Sequence, residues 1–195
     1  MKELIRSIVD DHKRVVDKMV NENIEEIQNL CDRVLGCLKK GGKILFVGNG
    51  GSAADCQHLA AEFVGRFRDD RVPLAAIALT TDSSNLTSIG NDYGFEHIFS
   101  RQVAALCTAK DIVFVISTSG NSANIILAAQ EARRKKGIVV GLLGRSGGRL
   151  LPLMDTAVVV NSTETARIQE CHILIGHILC LICDEYFNTH SKESQ

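Results

Sequence analysis

Residues 43–52 read K-I-L-F-V-G-N-G-G-S. An apolar run, Ile44–Val47, stops at Gly48. Asn49, Gly50, Gly51 and Ser52 follow, and a helical pattern begins at Ala53 and Ala54. The order reads as a buried strand, a tight glycine turn, and a helix capped by Ser52. Glycines let backbone N–H groups come close to a ligand, and a helix N-terminus offers free donors and a positive dipole end. The stretch is not the G-x-G-x-x-G of a dinucleotide fold, and it lacks the lysine of a phosphate-binding P-loop. Its meaning comes from a second loop of the same kind, Ser117–Ser122, which follows another apolar run, Ile112–Ile116.

Working outward, the pattern alternates between strand and helix. Strands are expected at Ile44–Val47, Ala75–Leu79, Ile112–Ile116, Ile138–Leu143 and Ala157–Val160. Helices are expected at Ser52–Phe67, near Ser83–Ser88, at Glu96–Leu106, at Ser122–Lys136 and at Thr165–Phe187. The strands are nearly continuous apolar runs, as burial of both sheet faces requires. This order predicts a three-layer α/β sandwich with a five-stranded parallel sheet of order 2-1-3-4-5. In that order the first and third strands are neighbours whose connections leave in opposite directions, and ligands bind in the crevice at their C-terminal ends. Those two strands end in G-N-G-G-S and S-T-S-G-N-S. Ahead of the core, residues 2–40 show helical periodicity, broken near Asn21–Asn23 and ended by Gly41-Gly42. The chain reads as one domain: N-terminal helices over 1–40, an α/β core over 43–188, and a polar tail, Thr189–Gln195, expected to fray.

The 195 residues suffice for one sizeable core. Apolar residues make up 45% and the net charge is −1, so no charge excess argues for nucleic acid or a membrane surface. Seven cysteines are an odd number in a chain that is not small, which predicts free thiols in a reducing compartment. Cys180-x-x-Cys183 lies in an apolar helical pattern without a second pair. The N-terminus, M-K-E-L-I-R-S-I-V-D-D, is charged throughout and is no signal peptide. No uncharged run approaches the roughly 18 residues of a membrane span. A cytoplasmic protein is the expectation.

Ser117, Thr118, Ser119 and Ser122 make a hydroxyl-dense loop entering a helix, where hydroxyls and N–H groups can surround a phosphate without a cation. A serine-rich turn with Ser122 as a plain N-cap is the simpler alternative. His58 and Glu62 stand four apart on one helix face. On the last helix, Gln169 and His177 can point into one cleft, with His172 in the same apolar run. Polar residues in such a run call for partners. Two histidines and a carboxylate suit a metal, although glutamine is a less usual ligand. Arg66 is either a phosphate or sugar contact or a surface cation. Gly90–Phe95 reads as a turn in which Asp92 binds sugar hydroxyls or caps the next helix.

Taken together, G-N-G-G-S-A-A-D-C-Q-H-L-A-A-E-F-V-G-R-F at 48–67, G-N-D-Y-G-F at 90–95, S-T-S-G-N-S-A-N at 117–124 and A-R-I-Q-E-C-H at 166–172 with His177 resemble the sugar isomerase (SIS) domain family, and within it the phosphoheptose isomerases. The resemblance runs through essentially the whole chain. It implies interconversion of D-sedoheptulose 7-phosphate and D-glycero-D-manno-heptose 7-phosphate, the first step towards nucleotide-activated heptose for surface polysaccharide. Ser117, Thr118, Ser119 and Ser122 would hold the phosphate. Asn49, Gly50, Gly51 and Ser52 would line the sugar with Asn91 and Asp92. Glu62 would be the base and His177 the acid. The resemblance also implies one zinc per subunit on His58, Glu62, Gln169 and His177, and a homotetramer with active sites at subunit interfaces. The chain departs from some members at Ala166, where they carry an acidic residue; Thr165 or Glu164 would be its substitute. Two other readings compete. One is a non-catalytic phosphosugar sensor or replication-initiator-associating module, which has no need of the base Glu62. The other is an isomerase acting on a hexose or pentose phosphate.

Overall fold

A computed structural model describes residues 1–191. Five parallel strands form the centre: β1 (Ile44–Gly48), β2 (Ala76–Ala78), β3 (Ile112–Ser117), β4 (Ile138–Gly144) and β5 (Thr156–Val160). They lie in the order β2-β1-β3-β4-β5, as the sequence predicts. Side chains alternate across the sheet. Ile44, Phe46, Phe114 and Leu142 face α1 (Lys2–Lys39), α2 (Gly51–Val64) and α6 (Thr165–Ser191). Leu45, Val47, Val115 and Leu143 face α4 (Ser100–Leu106), α5 (Ala123–Arg134) and Ile89 of α3 (Ser83–Tyr93). Both faces are dry, which is why the strands carry no polar alternation. Asp111 ties the strand entrances together: its carboxylate accepts from the Lys43 backbone N–H at 3.0 Å and from Lys43 Nζ at 2.6 Å.

The break expected near Asn21–Asn23 is a kink at Asn23, whose φ of −134° interrupts α1. Asn23 is buried there: its Nδ2 donates to Met19 O at 3.0 Å, and its Oδ1 accepts from Val159 N at 3.2 Å. A polar side chain thus satisfies itself and pins the kink to β5.

Four local expectations need correction. The helix expected at Glu96–Leu106 is a 3-10 turn, Phe95–His97, followed by α4 from Ser100. Ser52 does not cap α2: the N-cap is Gly50, at φ +55°, and Ser52 is buried within the first turn. Two glycines let the chain enter the helix two residues earlier than a serine cap would. α2 then ends at Val64 rather than Phe67, and residues 66–75 form an irregular segment. Residues 90–93 are the last turn of α3 rather than a free turn; Asp82 caps that helix by accepting from Asn85 N at 3.0 Å, and Gly94 at φ +94° ends it.

α6 meets the length and composition of a membrane span. Here it is a core helix: Ile168, Ile175, Leu179 and Cys183 are fully buried against the sheet layer. It continues helically to Ser191, so of the tail expected to fray, residues 192–195 lie outside the described residues. All seven cysteines are unpaired and buried.

Candidate functional site

β1 and β3 lie side by side, with Gly48 opposite Ile116 and Ser117 one residue further on. The loops that follow therefore meet at one crevice. Asn49 spans it: Asn49 Nδ2 donates to Asn124 Oδ1 and Asn124 Nδ2 to Asn49 Oδ1, each at 2.9 Å. Asn49 is a clamp between the loop after β1 and α5. Beneath it lies a small polar cavity of about 50 Å³, lined by Asn49, Ser52, Ser117, Thr118, Ser119 and Ser122.

The second loop is built to hold its shape. Ser117 Oγ accepts from Gly120 N at 3.1 Å, and Ser119 Oγ accepts from Asn121 N at 3.2 Å. Gly120 sits at φ +66° against the Gly147 carbonyl, where a Cβ would overlap backbone. Ser122 occupies the N-cap of α5, yet its hydroxyl makes no capping hydrogen bond. The hydroxyl and the first N–H groups of α5 are left for a ligand, and neither a lysine nor an arginine lines the cavity. This chemistry suits an oxyanion held by neutral donors at a helix start.

α2 runs from this cavity to a second cluster. His58 Nε2 lies 3.1 Å from Glu62 Oε1 on the same helix. Across the groove, His177 Nε2 on α6 lies 3.4 Å from His58 Nε2. The Phe67 ring flanks His177, with centroids 5.2 Å apart and 31° between planes. Side chains of His58 and Glu62 are 46% and 25% exposed, so the cluster is open to a substrate. Asp55, one turn before His58, has its Oδ2 buried without a hydrogen-bond partner. Burial raises its carboxyl above the ordinary carboxylate range, and the imidazoles of His58 and His177 pull it back in part.

Two donor pairs in this cluster have spacings close to those around a zinc ion. Tetrahedral zinc with ligand bonds of about 2.0–2.1 Å places its donors about 3.3–3.4 Å apart. The distances around His58 Nε2 match that edge, and the orphaned Asp55 oxygen adds negative charge nearby. Among the described residues no group of three or more His, Cys, Asp or Glu side chains is arranged to hold a metal ion; His58 pairs separately with Glu62 and with His177. Gln169 stands elsewhere. Its amide packs on the first residue of α2, where a Cβ on Gly51 would overlap it. Gln169 and His177 are eight residues apart, about 12 Å along α6. The amide therefore lies beside the sugar-lining loop, at the N-terminal end of α2.

The remaining expected residues are exposed. Arg66 is exposed just past α2. Asn91 and Asp92 are exposed on the last turn of α3, with Asn91 Nδ2 donating to Asp92 Oδ1 at 2.8 Å; Asp92 caps no helix. Thr165, Ala166 and Glu164 are exposed at the start of α6. His172 is not in the cleft. It is fully buried on the inner face of α6, where its ring nitrogens have no partner at hydrogen-bond geometry; burial lowers its pKa to about 4, opposed by a weak approach to the Leu143 backbone. Sequence reasoning missed Asp55 and Phe67, although both stand within the quoted 48–67 segment. Asp55 falls on the face of His58 and Glu62 by its i, i+3, i+7 spacing, which is the signal that could have found it. A larger hollow of about 680 Å³ lies at the other end of the sheet, near Arg33, Lys40 and Lys110. It mixes these cations with Asp32 and Asp155 and gathers no buried polar side chain.

The sequence matches the SIS domain family over residues 9–144. It is 51% identical over 183 residues to a phosphoheptose isomerase of Solidesulfovibrio magneticus, covering 94% of this chain and 89% of that protein. It is 50% identical over 187 residues to phosphoheptose isomerase 1 of Campylobacter jejuni, covering 94% and 98%. The solved structure of a phosphoheptose isomerase from Neisseria gonorrhoeae superposes with a TM-score of 0.89 at 44% identity, covering 94% of this chain and 98% of that one.

Proposed function

Because the chain belongs to the SIS domain family and, within it, to the phosphoheptose isomerases, we propose that it interconverts D-sedoheptulose 7-phosphate and D-glycero-D-manno-heptose 7-phosphate, the entry to activated heptose synthesis. The observation that carries this reading is the pairing of a neutral-donor cavity with a carboxylate and an imidazole on one groove. The first turn of α2 and His58 are separated by about 9 Å of helix rise, a span suited to an extended sugar phosphate. The phosphate would sit among Ser117, Thr118, Ser119 and Ser122. Asn49, Gly50, Gly51, Ser52 and Gln169 would line the sugar with Arg66, Asn91 and Asp92.

Glu62 takes the proton from C1 of the ketose. The C1–H electrons form the C1–C2 double bond as the carbonyl oxygen on C2 receives a proton from His177, which gives the enediol. Glu62 then returns its proton to C2. The C1 hydroxyl gives its proton to His177, and the C1 aldehyde results. Phosphate binding far from these carbons fixes their position against the two groups. We further propose that His58 would hold zinc together with Glu62 and His177, and that these two would leave the metal to move protons; the fourth expected ligand, Gln169, packs on Gly51 instead. When bound, zinc would polarise the carbonyl and hydroxyl oxygens as a Lewis acid.

A homotetramer with sites at subunit interfaces is also proposed. Leu4, Ile5, Ile8 and Val9 expose an apolar stripe on the first turns of α1, and the half-open His58 cluster gains exclusion of water from a neighbouring subunit. Unpaired cysteines and a phosphorylated substrate support a cytoplasmic setting. The deciding experiment incubates purified protein with sedoheptulose 7-phosphate and follows aldoheptose phosphate by NMR. Product accumulating to an equilibrium ratio is expected; absence of turnover with zinc present overturns the reading.

A further inference from the structure

α2 ends at Val64, two residues after Glu62, and its last carbonyls need partners. Arg71 supplies them from the segment that follows. Its Nη2 donates to Glu62 O at 2.8 Å, and its Nη1 donates to Phe63 O at 2.7 Å, Gly65 O at 3.1 Å and Val72 O at 3.1 Å. Its Nε donates to Asp184 Oδ1 of α6 at 2.8 Å. The other carboxylate oxygen, Asp184 Oδ2, accepts from Arg68 N at 2.7 Å and Asp69 N at 3.2 Å. Side chains of Arg71 and Asp184 are 1% and 0% exposed.

A buried ion pair is a poor way to gain stability, since apolar residues of similar volume do as well or better. Its value lies in what it fixes. Asp184 is seven residues beyond His177, two turns along the same helix. A continuous path therefore runs from the Glu62 carbonyl through Arg71 and Asp184 to the helix that carries His177. Asp184 also holds Arg68 N, the residue after Phe67, whose ring flanks His177. Both partners of the proton transfer are referred to one knot.

We infer that Arg71 and Asp184 are positioning residues that set the separation and orientation of Glu62 and His177. The inference rests on the isomerase reading above, in which those two residues move the protons. The planar fork of Arg71 suits the task, because it meets several carbonyls and a carboxylate from one rigid group. Neither residue touches the substrate cleft, so the effect falls on turnover and leaves binding nearly alone.

The test measures kcat and KM on sedoheptulose 7-phosphate, below the unfolding transition of each variant, for Asp184→Asn and for the volume-matched pair Arg71→Met with Asp184→Leu. Arg68→Ala, which removes two exposed ion pairs, to Asp69 and Glu185, and keeps the backbone N–H that Asp184 holds, serves as control. Misplacement of reacting groups by about 1 Å costs on the order of 100-fold. We expect kcat to fall roughly 10- to 100-fold with KM within about twofold in both test proteins, while Arg68→Ala matches wild type. The double variant separates the roles, because it restores buried packing without restoring the carbonyl contacts. Wild-type kcat in a folded double variant overturns the inference. So does a loss that merely tracks the folded fraction, or failure of both test proteins to fold. An inactive wild type instead overturns the isomerase reading.

Discussion

The Nε2 atoms of His58 and His177 face one another across 3.4 Å, on two different helices. Two neutral imidazoles can satisfy that approach by one N–H donating to the other's lone pair. The zinc proposed above would satisfy it instead by taking a lone pair from each nitrogen. Glu62 Oε1 lies 3.1 Å from the same His58 Nε2.

That geometry predicts metal retention by the protein as isolated. Elemental analysis is expected to find about one zinc per subunit, reduced several-fold in His58→Ala. Zinc added to chelated protein should raise the unfolding temperature in proportion to its binding, by mass action on the native state. Full activity in a preparation without metal would remove zinc from the chemistry.

Glu62→Gln keeps the side chain's shape and its place next to His58 but cannot accept a proton from carbon. General bases contribute about 100- to 10,000-fold, so kcat should fall by that order while KM stays within a few-fold. Exchange of the C1 hydrogen with deuterated solvent, read by NMR, should be lost in parallel. Exchange surviving in the variant would assign the base elsewhere.

The frame of the fold was legible because burial on both faces leaves nearly continuous apolar strands, and Phe46, Val47, Phe114 and Val115 could be nothing else. The two loops at the switch point followed from that order. What stayed hidden depends on backbone freedom or on long-range partners. Gly50 takes φ +55° and begins α2 before Ser52, so a local capping rule named the wrong residue. Gly90–Tyr93 has turn composition but is carried as helix from the Asp82 cap. Arg71 and Asp184 lie 113 positions apart, and no local pattern pairs them. Likewise Gln169 and His177 share α6, yet only the packing of Gly51 shows that the amide lies by the N-terminal end of α2.

Ser122 separates a structural from a binding role. It stands at an N-cap position without making the capping bond. If the hydroxyl served the helix, Ser122→Ala would cost about 1 kcal/mol of stability. The free hydroxyl predicts instead an unchanged unfolding temperature and a KM raised several-fold for the phosphorylated substrate. Inorganic phosphate should inhibit the variant correspondingly less. A lowered unfolding temperature with unchanged KM would return Ser122 to capping.

His172 predicts how the fold responds to acid. Its ring is fully buried without a hydrogen bond, and burial holds its pKa near about 4 against an ordinary value of 6.5. The folded state keeps the ring neutral, whereas the unfolded chain takes up a proton below pH 6.5. Stability from this group is therefore complete above about pH 6.5 and is lost progressively as pH falls towards 4. The shift corresponds to a loss on the order of 3 kcal/mol across that window. Urea unfolding at pH 7, 6 and 5 should show the wild type weakening with acidity. His172→Leu, apolar and unable to titrate, should show a shallower decline over the same range. Parallel declines in the two proteins would mean that other groups, and not His172, set the acid sensitivity of the fold.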